Sequence, residues 1–198
     1  MPRHADRGRM MRRGLLSLLL AAMPHVALAF DLVELMSMLG RISESNVVFE
    51  ETKYVSTLNA PLVRRGTMRF VRPDQLQMRV ETPYFERLDI AGNMLTIENR
   101  RGVRQIDLEG QPSAAAWVAS IRATLKGDAA SLSRLFKVGL TGQAARWTLT
   151  LDPLEPGLSG VIQRISIDGV QARLTRIEVD ERMGDRMVLV LVPGEEKR

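Results

Sequence analysis

Most of this chain alternates between apolar and polar residues in short runs, and a turn signal separates each run from the next. Alternation of period two is typical of a strand with one buried face. Connections as short as Gly92-Asn93 and Asp168-Gly169 favour antiparallel neighbours, because parallel strands need a long crossover. The sequence therefore predicts one antiparallel meander of ten or eleven strands. The predicted strands are Val47–Val55, Leu62–Val71, Leu76–Glu81, Arg87–Ala91, Met94–Glu98, Val103–Leu108, Lys137–Thr141, Arg146–Asp152, Val161–Asp168, Ala172–Asp180 and Arg186–Val192.

Three helices are predicted beside these strands. Apolar residues recur at helical spacing in Asp31–Glu44 and Ser113–Lys126, and Asp128 can cap a shorter third helix. A sheet of this size must curl, since open twisted sheets rarely exceed about 10 strands. The helices are available to fill its concave face, either as a solid core or as a lid over a cavity. We expect a mainly β fold of the α+β class.

The first 29 residues follow the order of a secretory signal peptide. Five arginines precede the apolar stretch Leu15–Met23, and Ala27-Leu28-Ala29 is typical of a cleavage site before Phe30. The stretch is short of the roughly 20 residues that span a bilayer, and a proline follows it, which argues against an uncleaved anchor. We expect residues 1–29 to be removed and residues 30–198 to form one domain, with the export route, Sec or twin-arginine, left open.

The excess of basic residues belongs mainly to this leader. The whole chain has 28 Lys and Arg against 23 Asp and Glu, a formal net charge of +5. Residues 1–29 contain five arginines and one aspartate, so 23 basic and 22 acidic residues remain, a net charge of +1. A nearly neutral domain gives no support to a nucleic acid partner.

Residues 30–198 lack the side chains of most catalytic and metal sites. The chain has no cysteine, and its two histidines, His4 and His25, lie in the predicted leader. Nucleophilic triads that use histidine, Cys–His pairs and zinc sites of the usual kind are therefore excluded. We expect no catalytic residue, no metal and no cofactor. A hydrolase based on carboxylates such as Glu50, Glu51 or Asp89 stays open, although no paired constellation stands out.

Several loose motifs occur in one order along the chain. They are Phe49-Glu50, Pro61-Leu62, Gly66–Asp74 with Leu76, Met78 and Thr82-Pro83, Gly92 before Met94-Leu95, Leu125–Asp128 with Leu132 and Phe136, Trp147–Pro153, and Ile165–Gly169. With this spacing the sequence resembles the LolA family of periplasmic lipoprotein carriers and its LolA-like relatives. The resemblance implies a half-open antiparallel β-barrel of about 11 strands, with lid helices over an apolar cavity.

The resemblance also implies a function and partners. Family members collect acylated lipoproteins at the inner membrane and pass them to a receptor in the outer membrane. We accordingly expect a monomeric periplasmic carrier that receives its cargo from an inner-membrane exporter and delivers it to an outer-membrane receptor. The cargo, a lipoprotein, a glycolipid or another acylated lipid, stays open.

Arg72 is the residue to which the resemblance gives a definite role. In the family an arginine directly before the proline of this strand and turn contacts the lid, and its counterpart here is Arg72. Period two also places Arg72 on one sheet face with two apolar residues. A guanidinium there can hold helix-end carbonyls and keep a lid shut, or it can reach solvent over apolar surface. The residues predicted to form the acyl cavity are Met68, Phe70, Met78, Leu88, Leu95, Trp117, Ile121, Trp147 and Leu149.

Two other functions fit the same predicted fold. One is a binding module that senses lipid or lipoprotein, regulates a membrane partner and never hands its ligand to an acceptor. The other is a structural β-domain with a solid core. An apolar cavity would distinguish the carrier from the structural domain. The sensing module would have such a cavity too, and it differs from the carrier only in what happens after binding.

Overall fold

A computed structural model describes residues 30–194, so the predicted signal peptide lies outside the described residues. Within that range the chain forms eleven strands in one antiparallel sheet, together with helices that pack against it. The prediction of a mainly β, half-open barrel with added helices is confirmed. The strands are β1 (Glu44–Tyr54), β2 (Leu62–Val71), β3 (Gln75–Thr82), β4 (Glu86–Ala91), β5 (Met94–Asn99), β6 (Gly102–Asp107), β7 (Phe136–Gln143), β8 (Arg146–Pro153), β9 (Ile162–Val170), β10 (Arg173–Glu181) and β11 (Arg186–Pro193).

Strand order follows from the connections. It is β6-β5-β4-β3-β2-β1-β11-β10-β9-β8-β7, so every sequential pair of strands is adjacent except β6 and β7. The β6–β7 connection is long because it contains two helices, and the last strand returns to pair with the first. Strands β6 and β7 are the two edges of the sheet, which is why the barrel is half open.

The helices are α1 (Leu32–Leu39), α2 (Pro112–Lys126), α3 (Ala129–Leu135) and a single turn α4 (Pro156–Ser159), with a 3-10 turn at Leu108–Gly110. As predicted, Asp128 caps α3, with its carboxylate accepting from the Ser131 amide at 2.9 Å. The prediction that the first helix reaches Glu44 was wrong. The helix ends at Leu39, and Glu44 instead begins β1, because β1 and β2 pair as far as Glu44 opposite Val71.

The apolar core lies between the concave face of the sheet and the helices. Leu35 and Leu39 of α1 and Leu132 of α3 are fully buried, as are the inward side chains of β8 and β9. The packed helices fill much of the concave face, which agrees with the expectation that a curled sheet needs an apolar filling.

The two ends of the sheet carry different connections. At one end lie the β2–β3, β4–β5, β7–β8 and β9–β10 turns, the α1–β1 link and the last turn of α2, and we call this the helix end. The β1–β2, β3–β4, β5–β6, β8–β9 and β10–β11 connections lie at the opposite end, which we call the hairpin end.

Candidate functional site

An apolar cavity with a volume of about 460 Å³ lies at the helix end, between the middle of the sheet and α2. This volume is within the range of small-molecule sites, roughly 300 to 1,000 Å³. Strands from both halves of the sheet form its walls. The lining residues are Ile42, Ser45, Asn46, Val47, Met68, Phe70, Ile121, Leu125, Val170, Ala172, Arg173, Leu174, Thr175, Ile177, Val190, Leu191, Val192 and Pro193. We call this space the helix-end cavity.

Three of the predicted cavity residues meet in it. Met68 and Phe70 project inward from β2, and Ile121 projects from α2. The other six predicted cavity residues do not line this space but are packed elsewhere in or against the core. Met78 and Leu149 are buried, whereas the side chains of Leu88, Leu95 and Trp117 are partly buried against the same core.

Trp147, also predicted to line the cavity, is held in the core by its neighbours. Only 1% of it is exposed, and its indole N–H donates to the Gln171 carbonyl at 2.8 Å. The ring lies directly on Gly169, where an added Cβ would come within 2.1 Å of the ring carbon Cζ2. The Trp147 side chain of β8 fits in the core because the residue opposite it on β9 is a glycine.

Arg72 lies at the edge of the helix-end cavity and joins three backbone segments. Its Nε donates to the Ile42 carbonyl at 2.6 Å, and its Nη2 donates to the Gly40 carbonyl and, at 3.2 Å, to the Lys126 carbonyl. Gly40 ends α1 and Lys126 ends α2, so the guanidinium lies against the negative ends of two helix dipoles. A single side chain, directly after the end of β2, thus ties both helices to the sheet.

The ends of α1 and α2 can approach because neither has a side chain at the contact. Gly127 caps α2 in the left-handed region, with φ of 71°, and an added Cβ would lie 2.1 Å from the Met36 carbonyl oxygen and 3.0 Å from the Gly40 Cα. Any other residue at 127 would both strain the backbone and push the helices apart. The two glycines place both helix ends within reach of Arg72.

Much of the cavity wall comes from residues that sequence reasoning did not select. Leu174 and Ile177 of β10 and Leu191 of β11 line it, together with the two outward valines of β11, Val190 and Val192. Along the sequence these residues look like ordinary members of alternating strands. Only the pairing of β11 with β1 brings them opposite Met68 and Phe70, and that pairing joins residues about 140 apart in the chain.

A second cavity, with a volume of about 640 Å³, lies at the hairpin end, and we call it the hairpin-end cavity. Its lining includes Leu62, Val80 and Tyr84, but also Glu86, Asn99 and three arginines. One of these arginines, Arg64, donates from Nη2 to both carboxylate oxygens of Glu51 at 2.7 Å, and from Nη1 to Glu86 at 3.4 Å. Two of its lining residues, Arg64 and Glu86, therefore belong to an ion-paired network.

The three carboxylates considered for catalysis do not come together. Glu51 is 3% exposed on the concave face and is bound by Arg64. Glu50, its neighbour along β1, points to the outer face and pairs with Arg65, and Asp89 of β4 lies on the outer face beside Arg87. Among residues 30–194, no group of three or more Asp or Glu side chains is arranged to hold a metal ion.

None of the helices formed by residues 30–194 has both the length and the apolar composition that crossing a bilayer requires.

The family model for outer membrane lipoprotein carrier proteins of the LolA-like type matches residues 22–195. This chain belongs to that LolA-like family. The match covers all of the described sheet and helices, and it confirms the resemblance found in the sequence. No curated protein matches the sequence significantly.

Solved structures similar to this LolA-like chain are remote in sequence. A LolA superfamily protein from Nitrosomonas europaea is 9% identical, with a TM-score of 0.45, and the match covers 81% of this chain and 90% of that one. A DUF1329 family protein from Desulfovibrio piger is 13% identical, with a TM-score of 0.43 and coverage of 82% and 89%. The lipoprotein LppX of Mycobacterium tuberculosis is 9% identical, with a TM-score of 0.39 and coverage of 81% and 93%. The family assignment rests on the family model.

Proposed function

We propose that this LolA-like protein is a periplasmic carrier that binds the acyl chains of a lipoprotein or another lipid-like cargo in the helix-end cavity and shuttles it from the inner to the outer membrane. The observation that carries the proposal is the cavity itself, whose walls are mostly aliphatic and aromatic side chains. The family name, which refers to the carriage of outer membrane lipoproteins, supports the same function.

The energetics of an acyl chain explain what the cavity would contribute. Burying a methylene group stabilises it by about 0.8 kcal/mol relative to water, so a long chain leaves a membrane very slowly without help. A cavity lined by Met68, Phe70, Leu174 and Leu191 replaces the bilayer as an apolar environment. Because methionine is flexible and polarizable, Met68 can adapt to chains of different shape.

Release to an acceptor would depend on the contacts of Arg72. The guanidinium ties the ends of α1 and α2 to β2, next to the cavity. Displacing its bonds to the Gly40 and Lys126 carbonyls would free both helices to move away from the sheet. In this proposal Arg72 is a latch, and an acceptor protein that competes for it would trigger transfer.

The proposal includes an exported monomer that carries out no reaction. Removal of residues 1–29 would leave the domain in the periplasm, where an inner-membrane exporter is the donor and an outer-membrane receptor is the acceptor. The separation of Glu50, Glu51 and Asp89, each beside an arginine, supports binding rather than carboxylate catalysis.

The test is native mass spectrometry with lipid extraction on protein purified from the periplasm. We expect a co-purifying acylated molecule, and we expect the purified protein to take up a fluorescent palmitate and then transfer it to acceptor vesicles. Protein that shows an apo mass and no uptake of the probe would contradict the proposal. Stable binding without transfer to any acceptor would instead support a lipid-sensing module.

A further inference from the structure

Strands β10 and β11 separate at the helix end. Their pairing stops at Arg176 opposite Val190, although β10 stays paired to β9 as far as Arg173 and β11 stays paired to β1 as far as Pro193. Residues 173–175 and 191–193 therefore border a gap in the sheet. At the same place, the pairing of β10 with β9 has a register irregularity between Leu174 and Arg176.

The helix-end cavity extends to this gap. Leu189 and Leu191 point inward along β11 and are buried, so the alternate residues Val190 and Val192 point outward, and these are 41% and 50% exposed. Both outward valines nevertheless line the cavity, together with Leu174 and Thr175 from the other side of the gap. Because residues from both faces of β11 line the cavity, the cavity extends past the edge of that strand.

The outer end of the gap lies against an exposed apolar strip. Val48 of β1 is directly opposite Val192 and is 40% exposed, so Val48, Val190 and Val192 form neighbouring apolar positions on the convex face. We call these three residues the outer valines. Isolated exposed valines are common, but an exposed group that is continuous with an apolar cavity extends the surface available to one ligand.

We propose that the gap between β10 and β11 is a portal for the acyl chain, and that the outer valines are a second subsite that holds the part of the ligand outside the cavity. The ligand class is the one in the proposed function, on which this inference rests. Spontaneous entry and exit of a chain would take place between the strands while Arg72 keeps both helices in place, whereas release triggered by an acceptor would use the latch. Arg173 lies on the lining at the same opening, where a cation suits an anionic head group beside the chain.

The test closes the gap chemically. Because the chain has no cysteine, Thr175→Cys with Val192→Cys can be bridged specifically by a short bis-maleimide reagent. The control pair is Asp180→Cys with Arg186→Cys, on the same two strands where they are still paired and where both side chains are partly exposed. Each pair is compared before and after bridging, and thermal melting checks that both remain folded.

We expect bridging at the gap to slow both association and dissociation of anthroyloxy-labelled palmitate at least about tenfold, as stopped-flow fluorescence measures them. Bridging the control pair should leave both rates within twofold, which is about 0.4 kcal/mol in the barrier. Bound probe with rates unchanged by the bridge at the gap would overturn the portal alone. Failure of the unmodified protein to bind the probe would overturn the proposed function, and the portal with it.

Discussion

The two cavities at opposite ends of the half-barrel differ in chemistry more than in size. The hairpin-end cavity is the larger, at about 640 Å³ against about 460 Å³, yet its lining includes Glu86 and three arginines, one of which, Arg64, is paired with the buried Glu51. The helix-end cavity is smaller and mostly apolar, with Arg173 the charged residue of its lining, and Arg72 ties two helices beside it. The proposed function places the acyl chain in the smaller cavity, because removing water from charged groups opposes the binding of an apolar chain.

The largest expected effect comes from placing a charge in the smaller cavity. Val47→Arg would put a guanidinium among apolar walls, and we expect affinity for fluorescent palmitate to fall at least about a hundredfold. The matched control is Leu62→Arg in the hairpin-end cavity, where Leu62 is 51% exposed and other arginines are present. Titration of both variants measures the difference, and an equal loss of affinity in both would break the comparison.

The next largest effect is on stability and concerns the ion pair between Arg64 and Glu51. Arg64→Met would leave Glu51 buried without its partner, and we expect a loss of about 2 kcal/mol in the free energy of unfolding. The value is below that of a fully buried pair because the Arg64 side chain is 34% exposed. The double variant Glu51→Leu/Arg64→Met should recover most of the loss in urea unfolding. Palmitate affinity should stay unchanged throughout, and a fall in that affinity would place the ligand at the hairpin end.

A smaller effect is expected at the latch. Arg72→Leu removes hydrogen bonds to the Gly40, Ile42 and Lys126 carbonyls, and we expect a loss of about 1.5 kcal/mol in stability, moderated by exposure to solvent. Hydrogen exchange should become faster in α1 and in the last turn of α2, and remain unchanged at the hairpin end. Arg72→Lys is the control, since an ammonium keeps the charge but lacks the planar fork that spans three carbonyls. Equal exchange in all three proteins would rule out the latch.

The smallest expected effect concerns Asp128, which caps the start of α3, one of the helices packed against the sheet. Hydrogen bonds from the Ser131 hydroxyl and amide hold the pKa of Asp128 below its usual range. We expect Asp128→Ala to cost about 1 kcal/mol at neutral pH, the usual loss of a helix N-cap. A lowered folded pKa stabilises the protein above the ordinary value of about 3.9, so the difference between wild type and variant should shrink as the pH falls through that region. Urea unfolding at several pH values measures it, and a difference that persists undiminished in acid would contradict the assignment.

The strands could be predicted closely because their signals are local. The bounds of β2 agree with the prediction at both residues, since Pro61 and the Arg72-Pro73-Asp74 turn mark its ends. The first helix was predicted too long because Ile42 continues the helical spacing, whereas the pairing of Glu44 with Val71 is a tertiary contact that periodicity does not carry.

The site was predictable only where one element supplied it. Met68 and Phe70 follow each other along β2, Arg72 comes directly after its end, and the motif that surrounds them marks that strand. Leu174 and Leu191 have the same alternating pattern as Leu149, and all three are buried in the core, but Leu149 does not line the cavity. What distinguishes them is the point at which β10 separates from β11, and the place where two paired strands separate has no signature in either segment. Likewise Glu51 looks like a solvated acid until its register opposite Arg64 is known.

The two edge strands of the sheet, β6 and β7, also affect whether copies of this protein associate with each other. An edge strand exposes backbone groups that can recruit a further strand, which is a common route to aggregation. Strand β6 carries Arg104 and Asp107, and β7 carries Lys137, on exposed positions along these edges. Charges on edge strands discourage such pairing. These three side chains, which take no part in the proposed ligand binding, would therefore raise the protein concentration at which aggregation begins.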